Sequence, residues 1–241
     1  MTKHYCLEVT GDFACFTRPE MKVERVSYDV MTPSAARAIF EAILWKPAIR
    51  WQVHKIEVLH PIRWINLRRN EVGQVISTRN VQTAMNQGAG NLALNIEDER
   101  QQRAGLFLRD VKYRLHASFE LRDDSRHIHR FPHLSANGDD DGSANSAIKF
   151  QRMFERRASK GQCFNQPYLG CREFSADFRL IDPDNNSARP DPELRGRRDL
   201  GWMLFDLDYN DPANPSPRFF QAVMIDGVVN VPDWHSEEVR G

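Results

Sequence analysis

Apolar and polar residues alternate through HYCLEVTGDFACF, residues 4–16, the period of a half-buried strand, with Gly11 as a candidate bulge. A stretch of mixed charge, RPEMKVERVSYDVM, follows, and then the period changes. Ala36, Ile39, Phe40, Ile43 and Leu44 recur at three- and four-residue intervals, which predicts a helix in PSAARAIFEAILW with one buried face. Thr32 supplies an N-cap hydroxyl and Pro33 stands at the first helical position. Lys46-Pro47 closes the helix, because the residue before a proline disfavours helical backbone. Alternation returns in AIRWQVHKIEVLHPI (48–62) and again in GLFLRDVKYRLHASFEL (105–121), both expected as long strands. Residues 66–102 between them are polar and aperiodic, and are expected to be irregular. Residues 123–145 are rich in Gly, Asp, Asn, Ser and His and read as a long surface loop. SAIKFQRMFERRASKGQCF (146–164) reads as a basic helix ended by Gly161, and CREFSADFRLI (171–181) as a further strand.

Strand, helix, strand, strand, helix, strand is the βαββαβ order of the ferredoxin-like fold, which sets both helices on one face of an antiparallel sheet. A polar, proline-containing linker then leads to three expected strands, LGWMLFDLDYN, RFFQAVMI and VVNVP, the last two joined by Asp226-Gly227, a strong hairpin signal. The expected class is therefore α+β: a ferredoxin-like domain over 1–181 and a small antiparallel β domain over 182–241.

Charge changes this picture locally, not globally. The chain holds 33 Lys and Arg against 33 Asp and Glu, so no net field draws in a polyanion, and any such site must come from clustering. Basic residues gather between Lys46 and Arg114 with Trp45, Trp51 and Trp64 interleaved, and again in the helix with Lys149, Arg152, Arg156, Arg157 and Lys160. Acidic residues concentrate in 97–99, 139–141 and the C-terminal third. Cations beside flat rings suit single-stranded RNA, whose phosphates need charge and whose unstacked bases need partners. Cys6, Cys15, Cys163 and Cys171 form no CxxC pair and follow no secretory signal, so reduced thiols in a cytoplasmic protein are expected. No apolar run reaches membrane-spanning length. His127, His129 and His133 share a loop with Asp139, Asp140 and Asp141, but the spacing matches no ligand pattern and no metal site is expected. The phosphate-loop, serine-hydrolase and zincin signatures are missing.

Several longer blocks carry a resemblance. GDFACFTRPEMKVERVSYDVMTPSAARAI, ILWKPAIRW, LRRNEV, RQQRA, GQCF with PYLGCREF, and RDLGWMLFDLD together resemble the CRISPR-associated Cas-five family, Dvulg subtype, of type I-C systems. The resemblance spans nearly the whole chain apart from 123–145 and 182–197. It implies a RAMP-type ferredoxin-like domain and a small β domain. It also implies a subunit that holds the 5′ handle of guide RNA (crRNA) within the type I-C surveillance complex (Cascade), beside backbone and large subunits, with duplex DNA near the PAM as a further contact. Lys22, Arg25, Trp45, Lys46, Arg68, Arg69, Arg103, Arg152, Arg156, Arg157 and Lys160 are the expected RNA-binding residues.

The family also cuts the precursor repeat RNA without metal or cofactor. The 2′-hydroxyl attacks its own phosphodiester, leaving a 2′,3′-cyclic phosphate and a 5′-hydroxyl. Such chemistry needs a proton-transfer group and a cation at one phosphate. The resemblance implies a tyrosine or histidine just before Trp-Lys-Pro and a Lys-His pair opening the second helix. Here those positions hold Leu44, Lys149 and Phe150. Lys149 can neutralise a phosphate; leucine and phenylalanine cannot move a proton. His116, with His127 and His129 in the adjoining loop, are the candidate substitutes.

Overall fold

The computed structural model describes residues 3–122, 143–184 and 190–241, and side chains in the helix that opens at residue 143 from residue 147 on. Among the described residues three α-helices and nine strands form: β1 (His4–Ala14), α1 (Pro33–Ile43), β2 (Ile49–Val58), β3 (Trp64–Val72), α2 (Thr78–Gln87), β4 (Arg100–Leu121), α3 (Ser143–Ala158), β5 (Asp177–Ile181), β6 (Arg197–Asp208), β7 (Ser216–Ile225), β8 (Val228–Asn230) and β9 (Val239–Arg240). The strands join one antiparallel sheet in the order β5-β1-β4-β2-β8-β7-β6, with β3 on β4 and β9 on β7. Tyr5, Leu7 and Val9 of β1 point into the core beneath the helices, where the Tyr5, Phe40, Trp51 and Phe154 rings pack together.

β4 organises the sheet because it is long enough to serve three partners. One edge pairs with β1 from Leu108 to Ser118. Along the other edge β3 and β2 lie end to end, β3 on Arg100–Leu108 and β2 on Tyr113–Leu121. Between the two, Asp110 adopts φ 53°, a conformation short acidic side chains tolerate. His60 Nδ1 lies 3.0 Å from its carbonyl, and Arg63 donates to its carboxylate at 3.1 Å.

Residues 66–102 are irregular only in part: 73–77 and 88–99 form neither helix nor strand, but the span also holds most of β3, α2 and the start of β4. β3 has no buried residue, so its order comes from nine pairings with β4 and not from an apolar face. α2 likewise buries nothing and runs between Ser77 and a left-handed Gly88. Two other expectations shift. Only Asp177–Ile181 of CREFSADFRLI is strand. Gly11 keeps β1 in register, and its missing side chain makes room for Leu169.

The expected Asp226-Gly227 hairpin forms, with φ 49° and 80° and Ile225 paired to Val228. β8 pairs with β2, and Met203, Phe220, Met224 and Val229 belong to the same core as the helices, so the C-terminal strands continue both sheet and core. No helix among the described residues is long and apolar enough to cross a membrane.

Candidate nucleic-acid interface

The last carbonyls of a helix have no partner within it. At the end of α1 three of them find one elsewhere. The Phe164 N–H donates to the Ala42 carbonyl at 2.8 Å, Arg157 donates to Ile43 at 2.9 Å, and the Trp51 indole donates to Leu44 at 2.9 Å. Leu44 is the C-cap in extended backbone, its side chain 0 % exposed within the core. The chain then turns outward, leaving Trp45 57 % exposed beside exposed Lys46. Of the interleaved tryptophans, Trp51 is core, while Trp45 and, to a lesser degree, Trp64 are exposed.

α3 meets the same place with its C-terminal end, and ordinary amphipathic spacing sets its cations outward. Phe154 and Ala158 are buried, and Phe150 and Met153 are partly buried against the core. Lys149, Arg152, Arg156 and Lys160 are exposed, while Arg157 reaches across to α1. Gly161, at φ 64°, ends the helix and turns the chain toward Phe164, a ring 80 % exposed. Phe164 was not among the residues expected to bind. Its sequence context, a phenylalanine after a helix-ending glycine, serves equally for a core ring, and only the fold shows that it faces water.

A second basic group lies where β3 meets β4. Arg68 and Lys22 are exposed. Arg25, Arg69 and Arg103 instead share Glu71 and Glu173: Arg69 pairs with both, Arg25 lies 4.0 Å from Glu71 and 3.8 Å from Glu173, and Arg103 lies 3.5 Å from Glu71. Arg69 also stacks over Phe107 at 4.8 Å. Arg25 donates to the Cys171 sulfur at 3.2 Å. A hydrogen bond with Cys15, helped by that guanidinium, holds the Cys171 thiol below its ordinary range against burial and Glu173.

His116 stands on the opposite face of the sheet from the helices. Its neighbours Leu115 and Ala117 enter the core, while its Nε2 lies 3.0 Å from Glu57 and 3.6 Å from the Cys6 sulfur. Hydrogen bonding to His116 is the main cause that draws the Glu57 carboxyl down to about 2, with Lys55 at 2.6 Å adding to it against burial. Farther along this face Glu8 lies between Lys112 at 3.2 Å and Arg179 at 2.8 Å, with Arg114 at 3.5 Å. Burial raises the Glu8 carboxyl, but Lys112 and Arg179 outweigh it and hold it below its usual range. The structure thus joins Trp45, Lys46 and Arg157 around the end of α1 and sets His116 on the other side of the sheet. His127, His129 and His133 lie outside the described residues. Among the described residues no group of three or more His, Cys, Asp or Glu is placed to hold a metal ion.

The family model described as CRISPR-associated protein (Cas_Cas5) matches residues 4–232. A protein of Mannheimia succiniciproducens named CRISPR pre-crRNA endoribonuclease Cas5d is 47 % identical over 244 residues, covering 100 % of both chains. One of the same name from Thermus thermophilus is 39 % identical, covering 94 % of this chain and 90 % of its own. Among solved structures, one titled as a CRISPR-associated protein matches with a TM-score of 0.66 at 21 % identity, covering 99 % of this chain and 97 % of that one. A functionally uncharacterised protein from Streptococcus mutans matches with a TM-score of 0.65 at 20 % identity, with the same coverage. Those two likenesses concern the fold; the family rests on the sequence matches, which run essentially from end to end. The chain belongs to the Cas5 family of CRISPR-associated proteins, in its type I-C form, Cas5d.

Proposed function

We propose that this chain is the guide-RNA-binding subunit of a type I-C surveillance complex in antiviral defence, seated on the 5′ handle of the crRNA. The observation that carries the reading is the knuckle at the end of α1: exposed Trp45 and Lys46 follow a helix end that the C-terminal end of basic α3 meets through Arg157. A flat ring amid cations is what an unstacked base and its phosphates require. Backbone and large subunits of the complex are its expected protein partners, duplex DNA near the PAM a further expected contact, and the cytoplasm its expected location. The proposal includes a ferredoxin-like RAMP unit over 1–181 and a β unit over 182–241. The order β5-β1-β4-β2 supports the first, because it sets the four expected strands as fourth, first, third, second.

A second reading, an active repeat-RNA endoribonuclease, is favoured by the printed names of both curated relatives. The residues here argue for slow cutting. Leu44 is enclosed in the core and Phe150 packs against it, so neither offers a proton donor or acceptor. Single-turnover cleavage of labelled repeat RNA in EDTA, with binding measured in parallel, separates the readings. Salt-sensitive binding with little cleavage is expected. Phe150→His should then raise the rate, since a proton-transfer group is typically worth about 10²–10⁴-fold, and adding Lys149→Ala should remove the gain. Leu44→Tyr is a poorer probe, because a larger side chain in a filled core costs about 1–3 kcal/mol. Rapid cleavage by the unaltered protein establishes the second reading, and absence of RNA binding overturns both.

A further inference from the structure

We infer that Phe164 and Trp45 form a two-ring platform on which two unpaired RNA bases stack, with Phe164 as a base-binding residue in its own right. The inference rests on the RNA-binding reading above and gives that site its geometry. Three observations carry it. Phe164 is 80 % exposed and Trp45 57 % exposed. Folding alone gains nothing from holding two large rings in water. Both rings hang from the same backbone frame: the Phe164 N–H is bonded to the Ala42 carbonyl at 2.8 Å, and Trp45 lies three residues beyond Ala42, just past the C-cap. Arg157 and the Trp51 indole hold the two carbonyls between, at 2.9 Å each. Such a frame is set before any ligand arrives, so little ordering cost falls on binding.

The occupant follows from the charge around the rings. Lys46 adjoins Trp45, and Arg156 and Lys160 lie at the end of α3 that leads into Phe164, all exposed. An apolar protein segment would leave those cations without counter-charge. A single RNA strand supplies flat bases for the rings and phosphates for the cations. Stacking on rings is sequence-tolerant, so this platform grips the strand without choosing its letters, and the choice of repeat falls to other contacts.

The test uses the full chain and labelled RNA carrying one repeat of the encoding genome's own array. Phe164→Ala should weaken binding about 5- to 150-fold, the range of one lost base–ring stack, with the slope of log Kd against log salt unchanged because no cation is removed. Phe164→Leu keeps the apolar bulk without the ring and should lose affinity as the alanine does, whereas Phe164→Tyr should retain it. Single abasic substitutions scanned along the RNA should reveal two adjacent sensitive positions in the wild type, one of which becomes insensitive in Phe164→Ala. Full affinity in Phe164→Ala, or rescue by leucine, overturns the platform, as does an effect confined to assembly with protein subunits. Wild-type protein that fails to bind the repeat RNA at all overturns the underlying reading instead, so the two failures are distinct.

Discussion

Adjacent residues of a strand face opposite ways, and Arg68 and Arg69 show what that does to a basic pair. The sequence makes them one patch. In β3, Arg68 faces water while Arg69 is committed to Glu71, Glu173 and the Phe107 ring. The two alanine variants should therefore differ in kind. Arg68→Ala should leave the melting temperature in place and make the salt dependence of RNA binding shallower by about 0.7, one phosphate contact. Arg69→Ala should cost up to about 1 kcal/mol of stability, since its pairs with Glu71 and Glu173 are partly exposed and Arg25 and Arg103 remain beside those carboxylates. Equal loss of stability in both would contradict the split. Glu57 carries a pH prediction. Its carboxyl lies at about 2 in the fold against an ordinary 4.5, chiefly through the His116 hydrogen bond. A depressed carboxyl adds stability above its unfolded value, and that stability is lost as pH falls through the folded one. Unfolding measured between pH 5 and 2 should steepen in the wild type across that window and be flatter in Glu57→Gln.

Elements were legible where local chemistry and burial agreed. α1 was readable because Thr32, Pro33 and a buried stripe all point one way, and Thr32 Oγ1 accepts the Ala35 N–H at 3.3 Å. The β7–β8 turn was readable because two successive positive φ values favour Asp-Gly over nearly any other pair. Gly227→Ala should cost at least about 1–2 kcal/mol in denaturant unfolding. A Cβ there would also lie 2.9 Å from the Val58 carbonyl and 2.8 Å from Pro190 Cβ, so a silent substitution would show that the turn is not held as described. β3 and α2 are not legible in the sequence for the opposite reason. Neither buries a side chain, so neither leaves an apolar period, and β3 exists because β4 lends it hydrogen bonds.

Over the whole molecule, the sheet brings β6 back to α1. Arg37 of α1 donates to both carboxylate oxygens of Asp206, at 2.8 and 3.1 Å, and Leu204 N–H reaches the Tyr28 hydroxyl at 3.2 Å. Arg37→Ala should cost about 1.5–3 kcal/mol, the worth of hydrogen bonds to charged groups. Hydrogen exchange should show faster opening in β6 than in β1, and uniform acceleration would deny the latch. The sequence by itself determined the alternation of β1, β2, β4 and β5 with α1 and α3, the capped start of α1, the Asp226-Gly227 hairpin and the basic stripe of α3, because each depends on residues within a few positions of one another. It carried α1 on to Lys46-Pro47, whereas the helix ends at Ile43. It also carried the family, whose blocks run along the chain. The tertiary structure alone decided that β4 bridges three strands and that the C-terminal strands share sheet and core with the rest. It decided that Trp51 is core while Trp45 is exposed, that His116 and the α1–α3 knuckle lie on opposite faces, and that the Phe164 N–H is tied to the Ala42 carbonyl, three residues before Trp45. Those outcomes turn on contacts between residues far apart in the chain, where side-chain facing depends on partners that local periodicity does not encode.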